Sequence, residues 1–191
     1  MDGSGSEEGI RLDARDLTIF TIGHSTRALP EFLALLGENR IEFLADVRHF
    51  PRSQRAPWAR KDSLAASLVA ARIRYEHFED LGGFRKPIKD SPNRAWRNPG
   101  FRGYSDHMDS PEFRRALDRL LETAAERRTG IMCAEAVPWK CHRFLLSDAL
   151  LARCVRVMHI LGRGTMQEHR LSKFARIHAG RVTYPASGKH V

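Results

Sequence analysis

The first strong pattern in the chain is the run Leu17-Thr18-Ile19-Phe20-Thr21-Ile22, β-branched and aromatic and closed by Gly23, which reads as a buried strand. Pro30 then opens a stretch carrying Phe32, Leu33, Leu35 and Leu36, whose i, i+3, i+4 spacing predicts a helix. Its proline sits early, where a missing N–H costs nothing. Further strands are predicted over residues 41–47 and about 73–77, with a helix over about 63–72 between them. Ser110-Pro111-Glu112 is a helix start, serine capping and proline following, and Phe113, Leu117, Leu120 and Leu121 give that helix one apolar face. It is expected to run to about residue 128, with Gly130 as its stop. A fourth strand is predicted over residues 130–134, a helix over about 143–153 and a fifth strand over 155–161.

Strand and helix alternate, and each parallel connection needs a crossover long enough to hold a helix, so the pattern predicts a three-layer α/β/α fold around a mostly parallel sheet. Residues 82–107 break the alternation with Pro87, Pro92, Pro99 and a run of cations, and read as an irregular basic insertion. Residues 1–17 are rich in Gly, Ser, Asp and Glu without periodicity and read as a disordered leader, leaving a single domain over 18–191.

Composition narrows the class. The 191 residues are 42% apolar and 29% charged, which excludes a disordered or collagenous chain, and no run reaches the roughly eighteen apolar residues of a membrane span. Three cysteines cannot close a disulfide framework and no secretory signal opens the chain, which predicts a cytoplasmic setting. A net charge of +9 favours an anionic small molecule or a nucleic acid as partner.

In an open parallel sheet, ligands bind beyond the carboxyl ends of the strands. There the chain places Gly23-His24-Ser25-Thr26-Arg27, then Asp46-Val47-Arg48 with Pro51-Arg52-Ser53, then Cys133-Ala134-Glu135 ahead of Cys141-His142-Arg143. Cys141 is the first catalytic candidate, because a thiol at a helix start beside Arg143 favours its thiolate. Glu135 is a candidate proton carrier, as are His24 and Asp46, although a carboxylate beside Arg48 also suits a structural ion pair. The turn of His24, Ser25 and Thr26, whose N–H groups and hydroxyls suit an oxyanion, joins Arg27, Arg48, Arg52, Ser53, His142 and Arg143 as an anion-binding set. Phosphate-loop and dinucleotide fingerprints are both absent. Cys133, eight residues before Cys141, pairs with it as a dithiol or, with His142 or His24, as ligands of a metal, although the spacing is not C-x-x-C. Cys154 reads as core or filler. Phe84, Trp96, Phe101 and Tyr104 interleave with the cations of the insertion, a mixture that suits stacking on bases, a lid, or packing back on the domain. His159 and His169 fall near a last loop that would help close the site.

These motifs, together with Leu81-Gly82-Gly83, Gly103-Tyr104, Met108 and Pro138, resemble the domain of unknown function 488 (DUF488) family over about residues 18–171. The resemblance implies an α/β domain and a site at the marked strand ends; it implies no reaction and no cofactor. Asp-Val-Arg followed by proline is also similar to rhodanese-like domains, whose active-site cysteine loop has no counterpart here. The residues themselves predict an enzyme acting on a phosphate-bearing substrate, a nucleotide or nucleic acid, through Cys141, Glu135 and the arginines. A nucleic-acid-binding module without catalysis and a metal site on Cys133, Cys141 and His142 are the alternatives.

Overall fold

The computed structural model describes residues 17–186. The leader expected over 1–17 lies outside the described residues except for Leu17, which packs against the core and accepts a hydrogen bond from the Arg156 N–H at 2.9 Å. The chain runs β1 (Thr18–Gly23), α1 (Leu29–Glu38), β2 (Phe43–Asp46), α2 (Lys61–Ala70), β3 (Arg74–His77), α3 (Pro99–His107), α4 (Pro111–Glu126), β4 (Thr129–Cys133), α5 (Arg143–Ala152) and β5 (Arg156–Gly162). After these come β6 (Thr165–Glu168), β7 (Arg176–His178) and β8 (Arg181–Thr183). The main sheet has the order β3-β2-β4-β1-β5-β6, with its first five strands parallel and β6 antiparallel at the edge.

Period-2 alternation sorts the sheet's side chains between two cores. Phe20 and Ile22 of β1, Leu44 of β2 and Met132 of β4 pack with Phe32, Leu35 and Leu36 of α1 and Leu64 and Leu68 of α2. Ile19, Phe43, Ala45, Ile131 and Cys133 turn the other way, toward Tyr104 of α3, Phe113, Leu117 and Leu120 of α4, and Leu145, Leu146 and Leu150 of α5. The sheet is therefore the middle of three layers, as the alternation predicts. β4 lies between β1 and β2. The helices that follow those two strands cover one face, whereas α5, following β4, covers the other. Chain segments that leave neighbouring strands toward opposite faces open a crevice at the carboxyl edge, and Cys133 ends the strand at its centre.

Three expectations need correction. The insertion is not irregular throughout: α3 begins within it, its Asn98 side chain accepting from the N–H groups of Gly100 and Phe101 at 2.8 and 3.2 Å. The loop before α3 is gathered by Asp106, which accepts from the Ile88 N–H, the Ser91 hydroxyl and the Asn93 amide. Gly130 does not end α4, which stops at Glu126; it is a buried strand residue against Ile41 and Leu44. Nor is the segment after β5 a plain loop, since β6 returns antiparallel and β7 and β8 form a hairpin around Ala179-Gly180, both at positive φ as a tight hairpin turn needs. No helix among the described residues is long and apolar enough to cross a membrane.

Candidate functional site

The loops after β1, β2 and β4 meet at the crevice. Ladder bonding continues past β1, with the His24 N–H donating to the Cys133 carbonyl at 3.0 Å and the Ser25 N–H to that of Ala134 at 2.8 Å. These two N–H groups are thereby taken by the protein, so the oxyanion cradle expected at this turn lacks them. Gly23 permits the approach: a Cβ there would overlap the Glu135 carbonyl.

The floor of the crevice is a cysteine pair. Cys133 Sγ and Cys141 Sγ lie 3.0 Å apart, too far for a disulfide at about 2.05 Å and close enough for a thiol to donate to a thiolate. His142 Nδ1 faces both sulfurs, 3.8 Å from Cys133 and 3.6 Å from Cys141. His142 Nε2 donates to the Val47 carbonyl at 2.8 Å. Nδ1 therefore presents a lone pair to the sulfurs or, when protonated, donates to a thiolate. The Arg143 N–H, at the start of α5, points at Cys141 Sγ from 3.5 Å. Burial pushes the Cys141 thiol up, but the Cys133 and His142 hydrogen bonds and the charges of His142 and Arg143 outweigh it and hold Cys141 well below the usual thiol range. Cys133 moves the opposite way, raised by its hydrogen bond to Cys141 and by burial. The two shifts run in opposite directions, which makes Cys141 the more acidic of the two sulfurs.

Arg143 is a buried cation whose backbone N–H faces the pair. Its side chain is 1% exposed; Nη2 donates to the Glu135 carbonyl at 2.5 Å, Nη1 donates to the Thr21 hydroxyl at 3.4 Å, and Nε has no partner among the described residues. Arg48 is also buried, but it is closed on Asp46 by Nε–Oδ1 and Nη2–Oδ2 bonds of 2.8 and 2.5 Å, and Tyr75 donates its hydroxyl to the same carboxylate at 2.8 Å. Asp46 is thus fully engaged as the structural partner of Arg48.

A cleft of about 340 Å³ opens above the sulfurs, lined by Cys133, Cys141, His142, Glu135, Arg48, Lys140 and Tyr104, with Phe50 and Phe84 at its lip. Tyr104 is wall rather than donor: it is 1% exposed, its hydroxyl goes to the Leu81 carbonyl at 2.9 Å, and its ring packs 5.0 Å from that of His142. Gly83 completes this wall, since a Cβ there would sit 2.9 Å from His142 Nδ1. The backbone at Ala134 and Glu135 separates this cleft from a second hollow, of about 500 Å³, lined by His24, Ser25, Thr26, Arg52, Ser53 and Arg55. Arg48, Glu135 and Cys141 thus share one cavity, while His24, Ser25, Thr26, Arg52 and Ser53 line its neighbour. Burial and the adjacent Arg48 lower the His24 pKa, and its Nδ1 bonds the Ser25 carbonyl, so it is a neutral wall residue. Arg27 lines neither hollow: it ties the Gly23 and Leu161 carbonyls together and pairs with Glu31.

Other sequence-based expectations shift in the same way. Trp96 packs against Phe101, Phe174 and Tyr184, leaving only Phe84 of the insertion's aromatics strongly exposed, at 84%. Cys154 is not core; it is exposed. His159 and His169 do not close a loop over the site but lie buried beneath it, in contact with Thr21 and Asp148, two residues the pattern reading did not single out. A histidine between Met158 and Ile160 on a buried strand was the available signal.

The sequence profile of the DUF488 family, a domain of unknown function, matches residues 28–150, well over half of the chain. The chain belongs to the DUF488 family. The matched segment holds Asp46, Arg48, Cys133, Glu135 and Cys141-His142-Arg143, so the DUF488 signature and the crevice coincide. No curated protein and no solved structure matches the chain. The DUF488 description carries no activity.

Proposed function

We propose that this DUF488 protein is an enzyme that uses the Cys141 thiolate on a phosphate-bearing substrate, a nucleotide or a nucleic-acid strand. The observation that carries this reading is the isolated cation: Arg143 is buried without a carboxylate in salt-bridge reach among the described residues, and its backbone N–H points at the Cys141 sulfur from 3.5 Å at the start of the same helix. Such a thiolate is a nucleophile at neutral pH. In the reaction, Cys141 Sγ bonds to phosphorus as the P–O bond to the leaving group breaks, and the leaving oxygen takes a proton from the Glu135 carboxyl. Water then attacks the phosphorus, the S–P bond returns its electrons to sulfur, and Glu135 recovers a proton from that water. Lys140 and Arg48 line the same cleft, and their positive charge attracts the incoming anion. Phe84 and Phe50, whose centroids are 6.0 Å apart, supply a stacking lip for a base.

Turnover of aryl phosphate, nucleoside phosphates and single-stranded oligonucleotides by wild type, Cys141→Ser and Cys141→Ala tests the reading. The expected result is loss of turnover in both variants, with phosphocysteine at position 141 in acid-quenched wild type. Undiminished turnover in Cys141→Ala overturns it.

A second reading rests on a different observation. The donor atoms of Cys133, Cys141 and His142 lie within 4.8 Å of one another, and the Val47 carbonyl orients the imidazole as an outer-shell partner orients a metal-bound histidine. Tetrahedral zinc at about 2.3 Å from each sulfur would need the pair opened from 3.0 Å to about 3.8 Å. Cobalt titration decides: thiolate-to-cobalt absorption bands that disappear in Cys133→Ser favour this reading, and a spectrum without them removes it.

A further inference from the structure

The proposed reaction uses one of two adjoining hollows at the carboxyl edge of the sheet. The other, of about 500 Å³, is lined by Ser25 and Thr26 from the loop after β1 and by Arg52, Ser53 and Arg55 from the loop after β2. The wall between the two is one chain thick, because Ala134 and Glu135 line both. Neighbouring strands lie about 4.7–4.9 Å apart, which sets the scale of such a wall. Across it the two linings meet: Arg48 Nη1, on the cleft side, lies 3.5 Å from His24 Nε2 on the other.

The chemistry of the second hollow suits an anion. Arg52 and Arg55 are exposed and pair with no carboxylate among the described residues, and the one acid in the lining is Glu135, which the cleft shares. The Ser53 hydroxyl accepts from the Ala56 N–H at 3.0 Å, which leaves its own proton free to donate. Ser25 has φ of +46°, a left-handed conformation that a residue with a Cβ adopts at a cost and that recurs at ligand clamps. The 2.8 Å bond from its N–H to the Ala134 carbonyl holds that turn against the wall. Arg52 and Ser53 also border a third hollow, but there Asp62 and Glu79 offset Arg60 and Lys61, so the positive track stops at the second.

We propose that the second hollow is a phosphate subsite and that the substrate is a single-stranded nucleic acid whose backbone straddles the Ala134-Glu135 wall. One phosphate enters the cleft beside Lys140 with its base against Phe50 and Phe84, and a neighbouring phosphate takes Arg52 and Arg55. The inference rests on the phosphate reading of the cleft and names the class of its substrate. The phosphates of a nucleoside triphosphate share bridging oxygens and stay on one side of a wall one chain thick. Those of a strand are separated by a sugar and reach over it. A duplex keeps its bases stacked inside, whereas Phe50 and Phe84, 59% and 84% exposed, call for a base that is free to leave the stack.

The test is displacement of a fluorescein-labelled hexathymidylate from the full chain, followed by anisotropy at fixed salt, with thymidylate mono-, di- and trinucleotides, thymidine triphosphate and a hairpin duplex as competitors. Affinity should rise about tenfold from mononucleotide to trinucleotide, as for one added charge-assisted contact, and that gain should fall to about twofold in Arg52→Ala/Arg55→Ala. With one phosphate contact gone, the log–log dependence of trinucleotide affinity on salt becomes shallower by about 0.7. Arg52→Lys/Arg55→Lys, which keeps both charges, should retain most of the gain, and an unchanged Tm shows that both variants fold. A uridylate ladder tells RNA from DNA, the larger gain naming the strand. A mononucleotide that fails to displace the probe overturns the phosphate reading of the cleft itself. A mononucleotide that displaces it with no gain on lengthening, or a gain that Arg52→Ala/Arg55→Ala leaves intact, overturns only the second subsite. Triphosphate or duplex competing as well as the trinucleotide overturns the single-strand assignment.

Discussion

Replacing Arg48 by leucine tests how the site is built as well as how stable it is. In the folded protein the guanidinium makes two bonds to Asp46, at 2.8 and 2.5 Å, with the carboxylate at 0% exposure and the arginine side chain at 5%. Arg48→Leu leaves that carboxylate with the Tyr75 hydroxyl and the residue-48 N–H alone, at 2.8 and 3.1 Å, and no compensating charge. Breaking one side of a buried pair costs about 3–5 kcal/mol, against about 0–1 kcal/mol for an exposed pair. For a domain of this size that is a fall in Tm of roughly 6–20 °C. The damage should reach the cysteines, because the Val47 carbonyl between the two partners holds His142 and the Arg48 carbonyl holds His77 Nε2 at 2.7 Å. Urea unfolding at pH 7 gives the magnitude, and a cycle with Asp46→Asn isolates the pair: the double variant should recover about 2 kcal/mol or more relative to the sum of the singles. A loss below about 1 kcal/mol in Arg48→Leu, or additivity in the cycle, would falsify the buried-pair account.

Two further outcomes follow from particular residues. Phe84 has φ of +59°, a conformation that a bulky side chain adopts at a cost and glycine adopts freely. Phe84→Gly should therefore leave Tm unchanged or slightly higher while raising the KM for a nucleoside phosphate by about five- to tenfold, as expected for a lost base stack; a lower Tm with unchanged KM would make the residue structural. In acid, burial together with the charges of His169 and Arg143 lowers the His159 pKa from 6.5 to about 3. Between those values the unfolded chain binds a proton that the folded chain refuses, so stability falls as pH drops through that window, by at most about 1.4 kcal/mol per pH unit from this group. Urea unfolding at pH 7 and pH 5 should show a smaller loss in His159→Gln than in wild type; equal losses would mean that His159 is not the group responsible.

Much of this was legible along the chain. The run from Thr18 to Gly23, the Ser110-Pro111 helix start and the alternation of strands and helices lead to the three layers, because hydrophobic periodicity and capping are local properties of a sequence. The Asn98-Pro99 start of α3 used the same chemistry as Ser110-Pro111, but surrounding prolines and cations masked it. At the site, the motif residues did converge on one sheet edge. Which of them face the cleft, however, depends on partners far off in sequence: Arg27 is drawn to the Leu161 carbonyl, Asp46 to Tyr75, and the turn N–H groups to β4.

Local preference along the chain was enough to establish the order of elements, the buried strands and the cysteine-bearing edge, since each depends on side chains a few residues apart. Which charges balance, which hydrogen-bond donors are already occupied, and that Thr21 meets His159 across 138 positions of chain were settled by folding alone. Those relations come from strand register and from burial in a low-dielectric core, where a polar group must find a partner wherever the topology has placed one.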